Sequence, residues 1–370
     1  MSNEFIPAAR PIIGDDEREA VDRVLRSGMI AQGPEVAAFE REFAEHFVEG
    51  RPTVAVNSGT SGQHLGLLAA GVGPGDEVIV PSFTFAATGN SVALTGATPI
   101  FADIEADYFT LAPESVRAAI TPRTKGIMPV HLYGHPFLVD EIETIAREHG
   151  LAIYEDAAQA HGASWRGRPV GTIGDFAMFS LYPTKNMTSG EGGMVSCGND
   201  VIARNIRVLR NQGMEKQYEN EVVGFNARMT DIHAAIGRVQ LTKVDEWTAS
   251  RQRNAAVLNE GLAGAAGVQT PRVADDVVHV YHQYTIRVDA GERDRIRQAL
   301  QDEHNIGSGV YYPIPNHRLP SLAKFAPGLE LPETERAANE VLSLPVHPSL
   351  GKGDLERIVT AVTEVVRAGA

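Results

Sequence analysis

The sequence predicts an α/β protein whose mostly parallel sheet is covered by helices and is followed by a smaller α+β domain. Two observations carry this prediction. Short apolar runs alternate with helical stretches through the N-terminal half of the chain, and strands joined by helical crossovers pair in parallel. Near Thr230 the alternation gives way to one long helical stretch, which is typical of a bridge to a second domain.

The strands of the predicted sheet are seven runs rich in β-branched residues. They cover residues 53–56, 77–80, 98–101, 126–130, 151–154, 176–179 and 193–196. Between several of them lie helical stretches bounded by Gly, Pro or a capping residue, at 63–70, 86–95, 113–120 and 139–149. We therefore expect a buried sheet with helices on both faces.

The second domain is predicted from the change of pattern after Thr230. Its predicted elements are a helix that runs towards Leu262, a strand at 284–288, and helices at 293–303 and after Lys352. This mixture suits a small α+β domain. We expect a large domain over residues 1–245 and a small domain over residues 246–370.

The composition argues against several functional classes. The 47 acidic residues outnumber the 33 basic ones, for a net charge of −14, and no basic run offsets the resulting repulsion of nucleic acid and anionic membranes. The single cysteine, Cys197, allows no intrachain disulfide and no cysteine-rich metal site. The N-terminus lacks the pattern of a secretion signal, and no apolar segment is long enough to span a bilayer. We expect a cytoplasmic protein.

The segment NSGTSG, from Asn57 to Gly62, follows a predicted strand and opens a predicted helix. Backbone N–H groups at the start of a helix converge on anions, and the helix dipole favours negative charge there. The segment therefore predicts a phosphate site. An ordinary glycine turn with Ser and Thr as helix caps is the alternative reading.

Asp156 follows directly on another predicted strand, where ligands collect in open α/β sheets. A carboxylate at this position can accept a hydrogen bond from a protonated pyridine nitrogen, which keeps such a ring electron-withdrawing. A helix-capping aspartate is the alternative reading.

Lys185 lies in a loop rich in Gly, Ser and Thr between two apolar strands, five residues after Ser180. A lysine beside a cationic cofactor has a lowered pKa, as an amine that forms an imine requires. A solvated surface lysine is the alternative. The strand-end positions of Asp156 and Ser180 favour the cofactor reading, because together the three residues suit a phosphorylated aromatic aldehyde.

These motifs resemble the DegT/DnrJ/EryC1/StrS family of sugar aminotransferases. The similar segments, given with their first residues, are QGP from Gln32, NSGTS from Asn57, PGDEVIVP from Pro74, PVHLYG from Pro129, EDAAQAHG from Glu155, SLYPTKN from Ser180, GEGG from Gly190, GFNARM from Gly224 and YPIP from Tyr312. Several such motifs in order are more specific than any one of them. The resemblance covers nearly the whole chain and implies PLP fold type I, in which a mostly parallel seven-stranded sheet is flanked by helices.

The resemblance also implies that pyridoxal 5′-phosphate (PLP) is the cofactor, and it assigns the residues around the cofactor ring. Lys185 matches the lysine that holds the cofactor as a Schiff base. Asp156 matches the partner of the pyridine nitrogen, and Gln159 matches a glutamine that approaches the phenolic oxygen. Phe83 matches the aromatic residue that stacks on the ring.

The phosphate end of the cofactor is assigned in the same way. Gly59, Thr60 and Ser180 match the family's phosphate cup. Asn226 matches a residue that reaches the phosphate bound by the neighbouring subunit. The resemblance therefore implies a homodimer with a shared active site, although an ordinary loop is the alternative reading of the segment around Asn226.

Residues further from the cofactor are candidates for substrate binding. Arg228, Tyr312 and His317 lie in stretches where the family places substrate contacts, and Asn316 departs from the leucine that precedes this histidine in many relatives. Loop packing is the alternative reading for all of them. His131 and His161 lack a further ligand at helical spacing, so packed or capping histidines are expected rather than a metal site.

By family analogy, the reaction is transamination of a nucleotide-linked keto-sugar with L-glutamate as the amino donor. Lys185 would then serve both as covalent anchor and as general base. Resemblance to 4-aminating members favours an NDP-4-keto-6-deoxyhexose as acceptor, which would give a 4-amino-4,6-dideoxyhexose. A 3-keto-sugar and a cyclitol ketone remain as alternatives.

Two other classes of protein fit the sequence less well. A PLP-dependent sugar dehydratase of this family has histidine in place of the anchoring lysine, and Lys185 argues against it. A PLP-binding regulator without catalysis would be expected to lack the lysine or the aspartate. Both residues are present.

Overall fold

A computed structural model describes residues 4–368 of the chain. The helices are α1 (Asp15–Ser27), α2 (Pro34–Phe47), α3 (Gly59–Ala69), α4 (Ala86–Leu94), α5 (Pro113–Ala119), α6 (Val139–His149), α7 (Asp200–Arg210), α8 (Asp231–Leu241), α9 (Val244–Leu262), α10 (Arg293–Asp302), α11 (Pro332–Glu340) and α12 (Lys352–Arg367). The first strands are β1 (Thr53–Val56), β2 (Glu77–Pro81), β3 (Thr98–Ala102), β4 (Thr124–Ile127), β5 (Ala152–Asp156), β6 (Ser164–Trp165), β7 (Arg168–Pro169) and β8 (Phe176–Ser180). The remaining strands are β9 (Gly193–Cys197), β10 (Met214–Lys216), β11 (Glu219–Asn220), β12 (Val268–Gln269), β13 (Val277–Val278), β14 (Tyr284–Val288) and β15 (Val341–Leu344).

The large sheet has seven strands in the order β1-β9-β8-β5-β4-β2-β3. Neighbouring strands from β8 to β3 pair in parallel, whereas β9 is antiparallel to both β8 and β1. The connection from β8 to β9 contains no crossover helix. The chain therefore turns back directly, and β9 runs antiparallel to β8. The predicted mostly parallel, seven-stranded sheet is confirmed, and its strands are the seven predicted runs.

Apolar residues cover both faces of this sheet. One buried cluster joins β1, β2 and β8 to α3 and α7, and a second joins the other face of β1 and β8 to α2 and α8. Helix α3 packs very close to the sheet, because a Cβ on Gly66 would lie 2.6 Å from the ring of Phe176. This close packing holds the first turn of α3 next to the strand ends.

The second core lies between the sheet β12-β14-β15 and helices α9, α10 and α12. It also contains Ile6, which is 4% exposed and pairs with Ile306. The N-terminal segment therefore contributes to the core that the sequence assigned to residues 246–370. The expected single long helix is two helices, α8 and α9, separated at Thr242 and Lys243. Within residues 4–368, no helix is long and apolar enough to cross a membrane.

Glu155 fixes the end of β5 and so positions the next residue, Asp156. Its carboxylate is fully buried and accepts hydrogen bonds from the N–H groups of Gly171 at 2.8 Å, Ile173 at 2.9 Å and Gly174 at 2.8 Å. The ring of His131 donates a further bond at 3.1 Å. Burial raises the pKa of Glu155, but these donors outweigh it and lower the pKa overall. The charged carboxylate therefore ties the loop after β7 to the central strand.

Candidate active site

A cavity of about 480 Å³ opens at the carboxyl edge of the parallel strands. Asp156 ends β5, Ser180 ends β8 and Thr84 follows β2, and all three side chains line the cavity. The first residues of α3, which follows β1, form a further wall. Ligands of open α/β sheets bind at this edge. The cavity is therefore the candidate active site.

Lys185 lies on the wall of the cavity in the loop from β8 to β9. The hydrogen bond from its backbone N–H to the carbonyl of Tyr182, 2.9 Å long, folds this loop into a turn. Burial lowers the pKa of its amine to about 8, although the nearby carboxylate of Asp156 acts in the opposite direction. The side chain is partly accessible, and it is reached from the cavity. A substantial share of the amine is therefore neutral and nucleophilic near pH 8.

Asp156 is 4% exposed and lines the same cavity. The hydroxyl of Thr88 donates to its Oδ2 at 2.8 Å, and the N–H of Ala158 donates to its Oδ1 at 3.2 Å. Burial raises the pKa of Asp156, and these bonds, together with the charge of Lys185, only partly offset the rise. A positive charge in the cavity would stabilise the ionised form of this carboxyl group and lower its pKa towards the ordinary value. The site therefore favours a cationic partner for Asp156.

The start of α3 provides an anion site. Ser58 caps the helix by accepting a hydrogen bond from the N–H of Ser61 at 3.1 Å. The earlier N–H groups, of Gly59 and Thr60, have no partner within the helix, and both residues line the cavity. A Cβ on Gly59 would lie 3.1 Å from Cβ of Ser180, so glycine is what lets β8 and α3 approach here. Gly59, Thr60 and Ser180 are thus brought together, as predicted.

Gln159 lines the cavity with its amide held in one orientation. Its Oε1 accepts a hydrogen bond from the N–H of Tyr133 at 2.6 Å, and its Nε2 donates to the hydroxyl of Tyr312 at 3.0 Å. Tyr312 also lines the cavity, and burial raises the pKa of its phenol. The structure therefore places Gln159 and Tyr312 side by side in the site, joined by a hydrogen bond that the sequence did not reveal.

Phe83 does not lie on the cavity wall. It is fully buried in a core cluster with Phe109 and Tyr133. Phe85 lines the cavity instead and is 59% exposed. The structure thus brings Phe85, and not Phe83, to the cavity wall; the stacking role expected of Phe83 stays a prediction, for which Phe85 is the alternative.

His317 and Asn316 also lie outside the cavity lining. Nδ1 of His317 is 2.6 Å from the hydroxyl of Ser82, and its Nε2 is 3.1 Å from a carboxylate oxygen of Glu335. The backbone N–H of Asn316 donates to the carbonyl of Ser82 at 2.8 Å, and its side chain donates to the carbonyl of Thr84 at 3.1 Å. In this chain the two residues hold the segment that carries Phe85, and the substrate contact expected of His317 stays a prediction.

Asn226 and Arg228 lie beside β1, away from the cavity lining. Asn226 is exposed and pairs with Asn211, while Arg228 pairs with Val56 and donates to Oδ1 of Asn211 at 3.1 Å. The contact expected of Asn226, with the phosphate bound by a neighbouring subunit, requires a second chain. Its exposed position is compatible with that contact, which stays a prediction. Arg228 has no contact with the cavity described here.

His131 and His161 occupy separate packed positions. His131 bonds to Glu155, as described above, whereas the ring of His161 packs against Phe43, Phe47 and Phe179. Burial lowers the pKa of His161 to about 3. Both side chains are therefore part of the protein interior.

Several residues of the site were not predicted. They are Gln63, Thr84, Phe85, Thr88, Tyr182, Glu191, His282, Gln283 and Tyr311. A usable signal existed for Thr84 and Thr88, because Thr84 lies between a predicted strand and the next predicted helix, and Thr88 lies four residues later in the first turn of that helix. His282 and Gln283 precede β14 of the second core, and only the tertiary fold brings them to the cavity.

The site fits PLP by its chemistry. The cavity combines a lysine amine of lowered pKa, a buried carboxyl group that favours a cationic partner, and a helix start that binds anions. These groups match, in turn, the aldehyde, the pyridine nitrogen and the phosphate of that cofactor. A cavity of about 480 Å³ is also within the usual size range of cofactor and ligand sites.

Comparisons with known proteins agree with this site. The sequence model of the DegT/DnrJ/EryC1/StrS aminotransferase family matches residues 11–363. A dTDP-3-amino-3,4,6-trideoxy-alpha-D-glucose transaminase of Streptomyces venezuelae is 44% identical, over 93% of this chain and 90% of that protein. A GDP-perosamine synthase of Caulobacter vibrioides is 40% identical, over 98% of both chains. The PLP form of the sugar aminotransferase Spr1654 from Streptococcus pneumoniae has a TM-score of 0.93 at 29% identity, over 99% of this chain and 100% of that one.

Proposed function

This chain belongs to the DegT/DnrJ/EryC1/StrS aminotransferase family, and we propose that it transfers an amino group from an amino acid to the keto carbon of a nucleotide-linked sugar. Its cofactor is PLP, as in its relatives. The observation that carries the proposal is the pairing of Lys185 and Asp156 in one cavity with the helix start at Gly59. Relatives whose names refer to nucleotide-linked amino sugars support the choice of acceptor.

When bound, PLP supplies an electron-withdrawing ring that stabilises negative charge on the carbon from which a proton is removed. The residues that would hold it are Lys185 through its amine, Asp156 at the ring nitrogen, Gln159 at the phenolic oxygen, and Gly59, Thr60 and Ser180 at the phosphate. The amide of Gln159 is held in one orientation, with its donor atom Nε2 directed towards Tyr312 on the cavity wall. The polar groups are thus oriented before the cofactor binds.

Lys185 is the residue that can move the proton. Its buried amine has a pKa of about 8, which would suit both uptake and release of a proton near neutral pH. Asp156 would be the negative partner of the ring nitrogen, and Thr88 holds its carboxyl group in place through a hydroxyl that donates at 2.8 Å. The protein thus provides one mobile base and one fixed anion.

The identity of the donor and of the sugar forms the finer part of the proposal. L-Glutamate is the proposed donor, and a nucleotide-linked 4-keto-6-deoxyhexose is the proposed acceptor. Amination at C3 is the second candidate, because the relative at 44% identity is named for a 3-amino sugar. The intact Lys185 favours amino transfer over the dehydratase reaction and over a regulator without catalysis.

The experiment that tests the function is incubation of the holoenzyme with L-glutamate and a panel of dTDP-, UDP- and GDP-linked keto-sugars. Release of 2-oxoglutarate identifies the accepted sugar, and NMR of the product locates the new amine at C4 or C3. If no sugar in the panel releases 2-oxoglutarate while a cyclitol ketone does, the sugar assignment fails and the PLP assignment stands.

We expect Phe85→Ala to weaken binding of PLP about tenfold, because an aromatic contact contributes roughly 0.5–1.5 kcal/mol beyond the area it buries. Phe83→Leu, in the core beside the same segment, is the matched variant, and it should lower thermal stability more than cofactor affinity. Titration of the apoenzyme with PLP, followed by absorbance, measures both affinities. If Phe83→Leu weakened PLP binding and Phe85→Ala did not, the assignment of the stacking residue would be reversed.

A homodimer is also part of the proposal. The hairpin formed by β10 and β11, together with the residues that follow it, carries exposed apolar side chains next to Asn226, namely Tyr218 (85% exposed), Val222 (50%), Val223 (90%) and Phe225 (38%). Such a patch is unusual on a monomer surface, and a second copy would cover it. We expect sedimentation to give a dimer and Val223→Glu to shift it towards monomer. A monomeric wild-type enzyme with full activity would contradict the shared site.

A further inference from the structure

Three arginine side chains are buried in the described part of the chain, and they differ in how their charge is balanced. Arg210, Arg251 and Arg287 are 5%, 6% and 5% exposed. Arg210 lies 2.6 Å from a carboxylate oxygen of Glu40, and Arg287 lies 3.0 Å from one of Glu340. Arg251 has no such partner among residues 4–368; burial alone sets the direction of its pKa shift, down to about 10.

The polar contacts of Arg251 leave one of its donors unused. Its Nη1 donates to the carbonyls of Tyr281 at 3.2 Å and His282 at 3.4 Å. Its Nε is buried and has no hydrogen-bond partner within the described residues, which is also true of Nε in Arg210 and Arg287, so the missing carboxylate is what sets Arg251 apart. Removing a charged group from water costs several kcal/mol unless an opposite charge compensates. The guanidinium therefore lacks both a counter-charge and one acceptor.

The surroundings of Arg251 are basic as well. Arg10 and Arg251 both lower the pKa of His347, and Lys185 and Arg251 both lower that of His282. Asp354 is an acid that raises the pKa of His347, but it does not act on the pKa of Arg251, which burial alone shifts. The charges that act around Arg251 are therefore mostly positive, and no carboxylate lies against its guanidinium among the described residues.

A small cavity, which we call the Arg251 pocket, lies at this point. It is lined by Arg10, Lys185, Asn186, Gln240, Trp247 and Arg251 among others. Its free volume is about 20 Å³, and a single water-sized particle needs roughly 10–15 Å³. A phosphate or a carboxylate is too large for this space. A monatomic anion, which is only slightly larger than water, fits.

We propose that the Arg251 pocket binds one monatomic anion of the chloride class, which accepts a hydrogen bond from the guanidinium and balances its buried charge. The side-chain amides on the pocket wall are already committed, since Asn186 donates to the carbonyl of Val280 at 3.0 Å. The side-chain amide of Gln240 donates to Glu17 at 2.7 Å and to the carbonyl of Ile12 at 2.9 Å. The anion site therefore depends on Arg251, with Arg10 contributing charge from the exposed side.

The direct test is diffraction from crystals of the holoenzyme soaked in sodium bromide and measured at the bromine absorption edge. We expect an anomalous peak within hydrogen-bond distance of the guanidinium of Arg251. A water molecule in this position without an anomalous signal would overturn the proposal. So would a carboxylate of a second copy that occupied the pocket and excluded bromide.

The solution test is thermal unfolding of the holoenzyme in sodium chloride and in sodium gluconate at the same concentration. Binding to the folded state should raise Tm in chloride by about 3 °C. Arg251→Gln should abolish the difference, whereas Arg253→Gln, an exposed neighbour on α9 with the same change of charge, should keep it. Equal Tm values in the two salts for the wild-type protein would contradict the proposal.

If Arg251→Gln does not fold, anion binding is tested with Arg10→Gln instead. Arg10 is exposed, so its replacement should leave the fold intact while it removes one of the two charges at the pocket. We expect a weaker bromide peak and a smaller chloride effect on Tm. A chloride effect on Tm that is the same in Arg10→Gln as in the wild type, together with the lack of a bromide peak at Arg251 in the wild type, would show that the pocket binds no anion.

Discussion

Lys185→Ala should abolish amino transfer, with a fall in rate of about 10⁴-fold or more. The variant loses both the amine that holds the cofactor and the base that moves the proton, and a positioned acid–base group alone contributes roughly 10²–10⁴-fold. The low pKa of about 8 that suits this amine to both tasks is a product of its burial. A lysine exposed to solvent at the same position would be mostly protonated at neutral pH.

The measurement combines turnover with the absorbance of the purified enzyme. The wild-type protein should show a band near about 420 nm that borohydride abolishes, and Lys185→Ala should lack it even when PLP is added. Lys352→Ala is the control, since the side chain of Lys352 is 92% exposed and lies at the start of α12. Retention of the band and of full turnover in Lys185→Ala would refute the central assignment.

The sheet could be predicted from the sequence because each of its strands is a short buried run. All seven runs are strands of the structure, and β1 has the bounds that were predicted. The second domain was harder to delimit, because Ile6 joins its core only through a contact with Ile306. No local pattern marks a contact between residues so far apart in the chain.

The cofactor end of the site was predictable for a related reason. Gly59, Asp156 and Ser180 follow strand ends directly, and the topology of a parallel sheet brings such residues to one edge. The placement of Phe85 rather than Phe83 on the cavity wall was not predictable, because residues two apart in an extended segment lie on the same side and only the packing of Phe83 against Phe109 and Tyr133 separates them. The surroundings of His317 were not predictable, because the groups that it contacts, Ser82 and Glu335, belong to different elements.

A fall in pH from 7.5 to 5 should remove several kcal/mol from the free energy of unfolding. Burial lowers the pKa of many histidines in the described part of the chain, namely His64, His135, His161, His233, His279, His282, His317 and His347. Each of them is held neutral in the folded protein at a pH where it would be charged in the unfolded chain.

His135 shows why protonation disrupts the fold. Its Nδ1 donates to the carbonyl of Pro136 at 2.6 Å, and its Nε2 accepts from the N–H of Ala274 at 3.1 Å. A proton on Nε2 would replace this hydrogen bond by two N–H groups that face each other. Burial, mainly, lowers the pKa of His135 to about 4. The ring joins the loop after β4 to the segment before β13, so its protonation loosens that junction.

The sign and size of the effect follow from the shift. A folded pKa below the unfolded value of about 6.5 means that the unfolded state binds more protons in acid. The stabilisation is complete above about pH 6.5 and is lost as the pH falls towards the folded pKa. At pH 5, a histidine with a folded pKa of about 4 costs about 2 kcal/mol. His135 and His161 together remove about 4 kcal/mol, out of the 5–15 kcal/mol typical of a folded protein.

Urea unfolding of the wild type and of His135→Gln at pH 7.5 and pH 5 measures this effect. The variant cannot be protonated at this position, so its loss of unfolding free energy between the two pH values should be about 2 kcal/mol smaller than that of the wild type. His149→Gln, which changes an exposed histidine at the end of α6, should behave like the wild type. Equal unfolding free energies of the wild type at the two pH values would contradict the prediction, because they would mean that these buried rings accept protons in the folded state without cost.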